Sequence, residues 1–382
     1  MSKYQLFFFC FTILLTFGCS ISENSETTLD AVEYHSEWEE LSRITLSETE
    51  GNVFKSIRRI SQSGEYIGIT AIDVPKAGDY YFRLYNTKGE QIFEIKEQQI
   101  TPRTYSLINS FSVVNEQVYI LLGDLTIFIY DFRGKRIKSI YNDAIRDKYG
   151  TTNASLFVYS DIFQKIITGV TPQITEVAPL NKEFYQKSNQ HLLFLDTLAN
   201  DLGGFGKYPK SYYDKTLLQF FPAYALTYDA SSIYLVYQDS PNIQQYDWKG
   251  NLKEIILAPN SKYKSYEIQS LDKEPTTVEE AFSITTAQKI SSFNDTYQQI
   301  ELIQNEGFRY YIQNRDTTVN NKIAYNYAIM EYFPNEKKFT EIEFLNDNKY
   351  YFLSGIKNNV RYLEVFKDGR KQIVTGRLKK MK

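Results

Sequence analysis

The chain has 382 residues, of which 42% are hydrophobic and 16% aromatic, and its formal net charge is −3. That length exceeds one simple core, so a repeat array or two domains is expected. With 43 Lys and Arg against 46 Asp and Glu there is no basic excess to neutralise a phosphate backbone, which argues against nucleic acid as a partner. The aromatic residues are 32 Tyr and 26 Phe against 2 Trp, a bias that suits pleated, half-buried surfaces and points to β structure.

Residues 1–18 read as a signal peptide: Lys3 supplies a positive start, Leu6 to Phe17 is apolar, and Gly18-Cys19 follows. The apolar run is shorter than the ~20 helical residues that span a bilayer. A small residue, then Cys, then a polar stretch (SISENSETTLD) resembles a bacterial lipoprotein signal, in which Cys19 is acylated and becomes the new N-terminus. Thr16-Phe17 departs from the strict pattern of an aliphatic and then a small residue. The alternative is an ordinary secretory signal with an incidental Cys. Residues 19–30 then form a polar tether. Because Cys10 leaves with the signal, the exported part has neither a disulfide nor a thiolate metal site. Acyl chains attach a protein to a membrane without a spanning helix.

From residue 31 onward, short alternating or apolar runs recur between Gly, Asn and Asp turns. The first unit takes Lys55–Ile60, Glu65–Ile72 and the hairpin Tyr81–Ile95. The second takes Ser106–Val114, Gln117–Leu122 and the hairpin Thr126–Tyr141, and the third Ser155–Ser160, Lys165–Val170 and His191–Phe205. The fourth takes Ala223–Tyr228, Ser232–Gln238 and Asn242–Leu257, and the fifth Tyr297–Gln304, Phe308–Asn314, Ala324–Phe333 and Lys338–Leu345. The sixth holds only Lys349–Ser354, Val360–Phe366 and Lys371–Thr375, and Leu41–Leu46 supplies its missing strand. Such repetition predicts an all-β, six-bladed β-propeller over residues 31–382, with four-stranded antiparallel blades and a ring closed by the N-terminal strand. Closure removes two exposed sheet edges. A short helix is expected at Thr277–Phe282 with Thr277 as N-cap, and Arg377 to Lys382 reads as a solvated basic tail.

The residue inventory limits the chemistry. The two histidines, His35 and His191, are far apart in sequence, and no G-x-S-x-G elbow is present. Ser-His-Asp and Cys-His nucleophiles, and zinc sites built on several His or Cys, are therefore unsupported. No EF-hand, P-loop or dinucleotide fingerprint occurs. No cofactor and no metal site are expected, and His191 reads as a packed strand residue. Carboxylate chemistry needs only two acids across a cleft, or oxygen ligands for Ca²⁺, and Asp73, Asp161 and Asp239 are its candidates. The Asp-x-x-Gly turns are conformational: Asp or Asn caps the turn and Gly takes the positive φ.

The repeat is interrupted at Gly203–Pro222 (GGFGKYPKSYYDKTLLQFFP) and at Ala258–Thr296. Insertions in repeat proteins map to loops, often on the binding face. The first insertion offers Lys207, Tyr208, Tyr212, Tyr213 and Phe220 around flexible glycines, a composition suited to stacking on a sugar or gripping a peptide.

Cys19, the polar tether, the turns Asn86–Gly89, Asp131–Gly134 and Asp247–Gly250, and the segment Gly206-Lys207-Tyr208-Pro209 together resemble the six-bladed, TolB-like β-propeller lipoproteins of Bacteroidota. The resemblance implies a lipid-anchored envelope protein, with attachment at the outer membrane, and it carries over no catalytic residue. The expected role is a binding or scaffold module for a peptide, a glycan or another envelope protein. The alternatives are a carboxylate- or Ca²⁺-dependent glycan-active enzyme on the same ring, and a purely structural subunit of an outer-membrane complex.

Overall fold

The computed structural model describes residues 33–47, 57–73, 79–96, 108–171, 182–187, 190–209, 224–237, 240–258, 276–277, 280, 296–303, 306–316, 324–344, 349–356 and 359–380. Its strands run β1 Glu33–Thr45, β2 Ile57–Ser63, β3 Tyr66–Asp73, β4 Asp79–Asn86, β5 Gln91–Lys96, β6 Ile108–Val114, β7 Gln117–Leu122, β8 Ile127–Asp131, β9 Arg136–Ile140, β10 Thr151–Ser160, β11 Lys165–Thr171 and β12 Leu192–Asp196. They continue with β13 Asp201–Phe205, β14 Tyr224–Tyr228, β15 Ile233–Tyr237, β16 Ser240–Tyr246, β17 Leu252–Ile256, β18 Thr296–Ile303, β19 Gly307–Asp316, β20 Ala324–Phe333, β21 Lys338–Phe344, β22 Lys349–Ile356, β23 Asn359–Val365 and β24 Lys371–Lys380. Two short helices, α1 Asp143–Tyr149 and α2 Lys182–Lys187, lie in connections where none was expected.

The strands form six four-stranded antiparallel blades. Blades one to five are β2–β5, β6–β9, β10–β13, β14–β17 and β18–β21 in chain order, and blade six is β22-β23-β24-β1. A blade interior is covered on both faces by its neighbours, so its strands read as continuous apolar runs rather than alternations. β8 shows the reason. Ile127 and Ile129 enter the cluster shared with blade three, while Phe128 and Tyr130 enter the cluster shared with blade one. Buried clusters of this kind lie between each pair of consecutive blades, and the last joins Leu353, Leu363 and Ile373 of blade six to Ile67, Ile69 and Tyr85 of blade one. The ring is closed.

The closing strand is longer than Leu41–Leu46. Ser36–Thr45 pairs antiparallel with β24, and Glu33–His35 pairs parallel with β21, so one strand edges two blades. Its acidic first half conceals the pattern in sequence, and one of these acids, Glu39, answers residues more than three hundred positions away. Arg377 and Lys379 bind Glu39 at 2.5 and 2.9 Å, holding its carboxyl below the usual range through the bonds from Arg377 and then Lys379. The expected solvated tail is thus strand as far as Lys380. Beyond β1, Ser47 donates its backbone N–H to the Gly89 carbonyl (2.8 Å), and its Oγ accepts from the Gln91 N–H (3.0 Å), fastening blade six to the outer hairpin of blade one.

One turn recurs in blades one to four. Asn86, Asp131, Asp196 and Asp247 each accept, at Oδ1, the backbone N–H groups two and four residues on, at 2.8–3.0 Å. The residue three positions on takes positive φ: Gly89 (81°), Gly134 (77°), Ala199 (63°) and Gly250 (86°). Each hairpin then carries one extra residue after the turn, where the register slips: Ile92, Ile137, Leu202 and Lys253. The hairpin Arg361–Thr375 repeats the backbone bonds through Phe366 and Gly369, but it joins the second and third strands of its blade rather than the third and fourth.

Candidate functional site

The insertion after β13 is tied down where it leaves blade three. Gly206 has φ +95°, and a Cβ there would lie 2.9 Å from the His191 ring. Tyr208 turns inward and stacks on that imidazole (centroids 4.4 Å apart, planes at 14°), with Tyr185 of α2 edge-on to it at 5.3 Å. The flanking Lys207 backbone is held at both ends. Its N–H donates to the Tyr246 hydroxyl (3.0 Å), and its carbonyl accepts from the Tyr237 hydroxyl (2.9 Å). A phenol has one proton to give. Since Tyr237 gives it to Lys207, the 2.7 Å bond between Tyr237 and His191 Nε2 must be donated by an Nε2–H, which sets the tautomer. Tyr224 completes the cluster with a longer bond, 3.4 Å, to the His191 carbonyl, and burial, with Tyr208 second, holds its phenol well above the usual range.

Each element contributes for a topological reason. His191 precedes the third strand of blade three, Tyr224 begins the first strand of blade four, and Tyr237 ends its second. Antiparallel pairing brings these positions to the same end of the ring as the connections between blades. The sequence offered no periodic signal for Tyr185, Tyr224, Tyr237 and Tyr246 as a group, because they belong to separate elements. His191 is fully buried, as a packed residue should be.

Of the residues singled out in the insertion, Lys207 is exposed and Tyr208 is 4% exposed, so Tyr208 anchors the segment from inside. Tyr212, Tyr213 and Phe220 lie outside the described residues, as does Cys19. Of the acid candidates, Asp73 and Asp161 do not converge. Asp73 ends the second strand of blade one, whereas Asp161 is exposed on the turn after the first strand of blade three, and Asp239 lies outside the described residues. Among the described residues no group of three or more His, Cys, Asp or Glu could hold a metal ion. None of their helices is long and apolar enough to cross a membrane. In the second interruption, Thr277 Oγ1 accepts the Glu280 N–H at 3.1 Å, the expected N-cap bond; residues 278, 279, 281 and 282 of the expected helix lie outside the described residues.

A second polar feature joins blades five and six. Arg309 binds Glu331 at 3.0 Å through Nε and 2.7 Å through Nη2, and approaches Glu301 at 3.5 Å, while Tyr311 donates to Glu301 at 2.7 Å. Arg361 is 2% exposed, and among the described residues its Nη1 has no hydrogen-bond partner. Burial lowers its pKa, although Glu301 and Glu65 pull the other way.

This geometry defines the class: a six-bladed β-propeller. Solved structures similar to it include two from Bacteroides. One is a member of the DUF4221 family from Bacteroides vulgatus, 10% identical, with a TM-score of 0.58 over 92% of this chain and 100% of that one. The other is a Bacteroides fragilis protein named provisionally as exported, 12% identical, with a TM-score of 0.54 over 91% of this chain and 98% of that one. At such identities the likeness concerns the fold. No family model and no curated protein matches the sequence.

Proposed function

We propose that the protein is an exported propeller, acylated at Cys19 and held at the outer membrane as a TolB-like lipoprotein, which serves as a binding or scaffold module. Its ligand, a peptide, a glycan or another envelope protein, meets the ring around the 203–222 insertion. The observation that carries this reading is the Lys207 clamp: buried Tyr237 and Tyr246 fix both backbone groups of a residue whose side chain stays exposed. Holding a loop in its bound shape before contact reduces the ordering cost of binding. The provisional naming of the Bacteroides fragilis neighbour as exported agrees with a signal at residues 1–18.

The test is a crosslinking pull-down from native membranes with the unmodified chain and with the triple variant Lys207→Ala, Tyr212→Ala, Tyr213→Ala. Tyr208 is left intact because it packs on His191. A partner captured by the unmodified chain and lost by the variant supports the reading. A partner captured equally by both removes the insertion from the account. Membrane attachment is checked separately by Cys19→Ser, which should release the protein from the membrane fraction.

A further inference from the structure

The recurring hairpin supplies its own internal control. The turn requires only a side-chain acceptor at its first position and a residue of positive φ three positions on. Across the positions two, four, five and seven after the first, blade one carries Lys88, Glu90, Gln91 and Phe93, and blade four carries Lys249, Asn251, Leu252 and Glu254. Both sets are neutral, and blade three, with Asp201, is acidic. Blade two carries Arg133, Lys135, Arg136 and Lys138, all exposed, in a chain whose net charge is −3. Asp131 is committed to the Arg133 and Lys135 N–H groups, and Arg136 lies over the Phe128 ring at 5.2 Å. Among the described residues none of these four side chains forms an ion pair, and the one acid that feels them is Asp196 of blade three, whose carboxyl is held low against burial by the bonds from Asn200 and Leu198 and then by Lys138. The acids that follow, Asp143 and Asp147, are bound by Arg146 at 3.0 and 3.6 Å. Arg377 and Lys379, by contrast, are both bound by Glu39.

Charged residues on an outer strand commonly prevent edge pairing. That role favours Lys, but it is met on the other outer strands without a cationic cluster, so it does not by itself call for four cations. The register slip also turns Ile137 outward, 50% exposed between Arg136 and Lys138, and Tyr141 at the strand's end is 49% exposed. An interrupted edge is a poor template for adding a strand. Cations around an exposed aliphatic and an amphipathic ring instead suit the headgroup zone of a bilayer. We infer that the blade-two hairpin, Arg133 to Tyr141, is a docking surface for an anionic lipid membrane, read by its phosphate and carboxylate headgroups. This goes beyond the ligand reading at residues 203–222 and is independent of it.

The test uses the full chain with Cys19→Ala, so that no acyl anchor contributes, and vesicles of phosphatidylcholine with or without phosphatidylglycerol. Each cation near an anionic surface contributes about 1 kcal/mol, or about fivefold. Binding should appear with the anionic vesicles, fall roughly 25-fold in Lys135→Gln/Lys138→Gln on the same arithmetic, and vanish in high salt. These residues are exposed, so the variant should keep its circular dichroism and melting temperature. Equal binding to both vesicle types, or binding unchanged in the variant, would overturn the inference. Hairpin-dependent binding to polyglutamate without vesicle binding would also overturn it, moving the surface to an acidic polypeptide.

Discussion

Tyr237→Phe removes one oxygen from the Lys207 clamp and tests whether that clamp is a structural commitment. The hydroxyl satisfies two groups: it accepts the His191 Nε2–H at 2.7 Å and donates to the Lys207 carbonyl at 2.9 Å. His191 and Tyr237 are both 0% exposed, so water has no ready access to the abandoned Nε2–H. Leaving one buried donor unpaired costs about 1–3 kcal/mol. The Lys207 carbonyl is part-buried and recovers some hydration, adding less. The expected loss is about 2–3 kcal/mol in equilibrium urea unfolding, with faster amide exchange across residues 206–208. Tyr224→Phe is the control, since its hydroxyl reaches the His191 carbonyl only at 3.4 Å and should cost under ~1 kcal/mol. If Tyr237→Phe costs no more than Tyr224→Phe, and exchange at 206–208 is unchanged, the clamp does not hold the segment.

Three other outcomes follow from the same geometry. Gly250→Ala should cost more than Gly134→Ala: both need positive φ, but the first Cβ would lie 2.7 Å from Phe205 Cβ while the second meets nothing within 4 Å. The backbone penalty of about 1–2 kcal/mol is common to both, so the excess, about 1–3 kcal/mol for overpacking, measures the junction of blades three and four. Arg361→Met should be neutral or raise stability by about 1 kcal/mol, since it removes a buried guanidinium whose Nη1 is unpaired while Glu301 keeps Tyr311 and Arg309; a large loss in urea unfolding would show that Arg361 is paired after all. Glu39 has a lowered folded pKa, so its stabilising share is complete above the ordinary carboxylate value of 4.5 and is lost as the pH falls through the lower folded value. The stability difference between Glu39→Gln and the unmodified chain should therefore be present at neutral pH and disappear in acid.

How far the sequence carried depended on whether a feature was local. Gln117–Leu122 and Ala324–Phe333 were bounded to the residue because turn chemistry flanks or follows dense apolar runs. The Asp and Asn turns were legible because cap and positive φ lie three positions apart. Glu33–Glu40 was not, since its alternation is overwritten by acids, one of which, Glu39, finds its partners Arg377 and Lys379 at the other end of the chain. The helix Asp143–Tyr149 went unread although Asn142 and Gly150 bracket it, and in the structure Asn142 donates its side-chain amide to the Leu125 carbonyl at 2.9 Å and makes no cap bond. At the candidate site the interruption of the repeat marked the place, and Lys207 stands exposed there. The inward turn of Tyr208 was invisible, because it depends on a histidine and tyrosines from separate strands and helices that only the closed ring brings together.

Site-specific photocrosslinking in native membranes tests the binding role most directly, with the reactive side chain at position 207 and a control at position 249, on the outer turn of blade four. The account predicts a discrete crosslinked partner from position 207 that is absent from position 249 and is lost when Tyr212 and Tyr213 are replaced by Ala. The same yield from both positions, or none from 207 in intact envelopes, would contradict it.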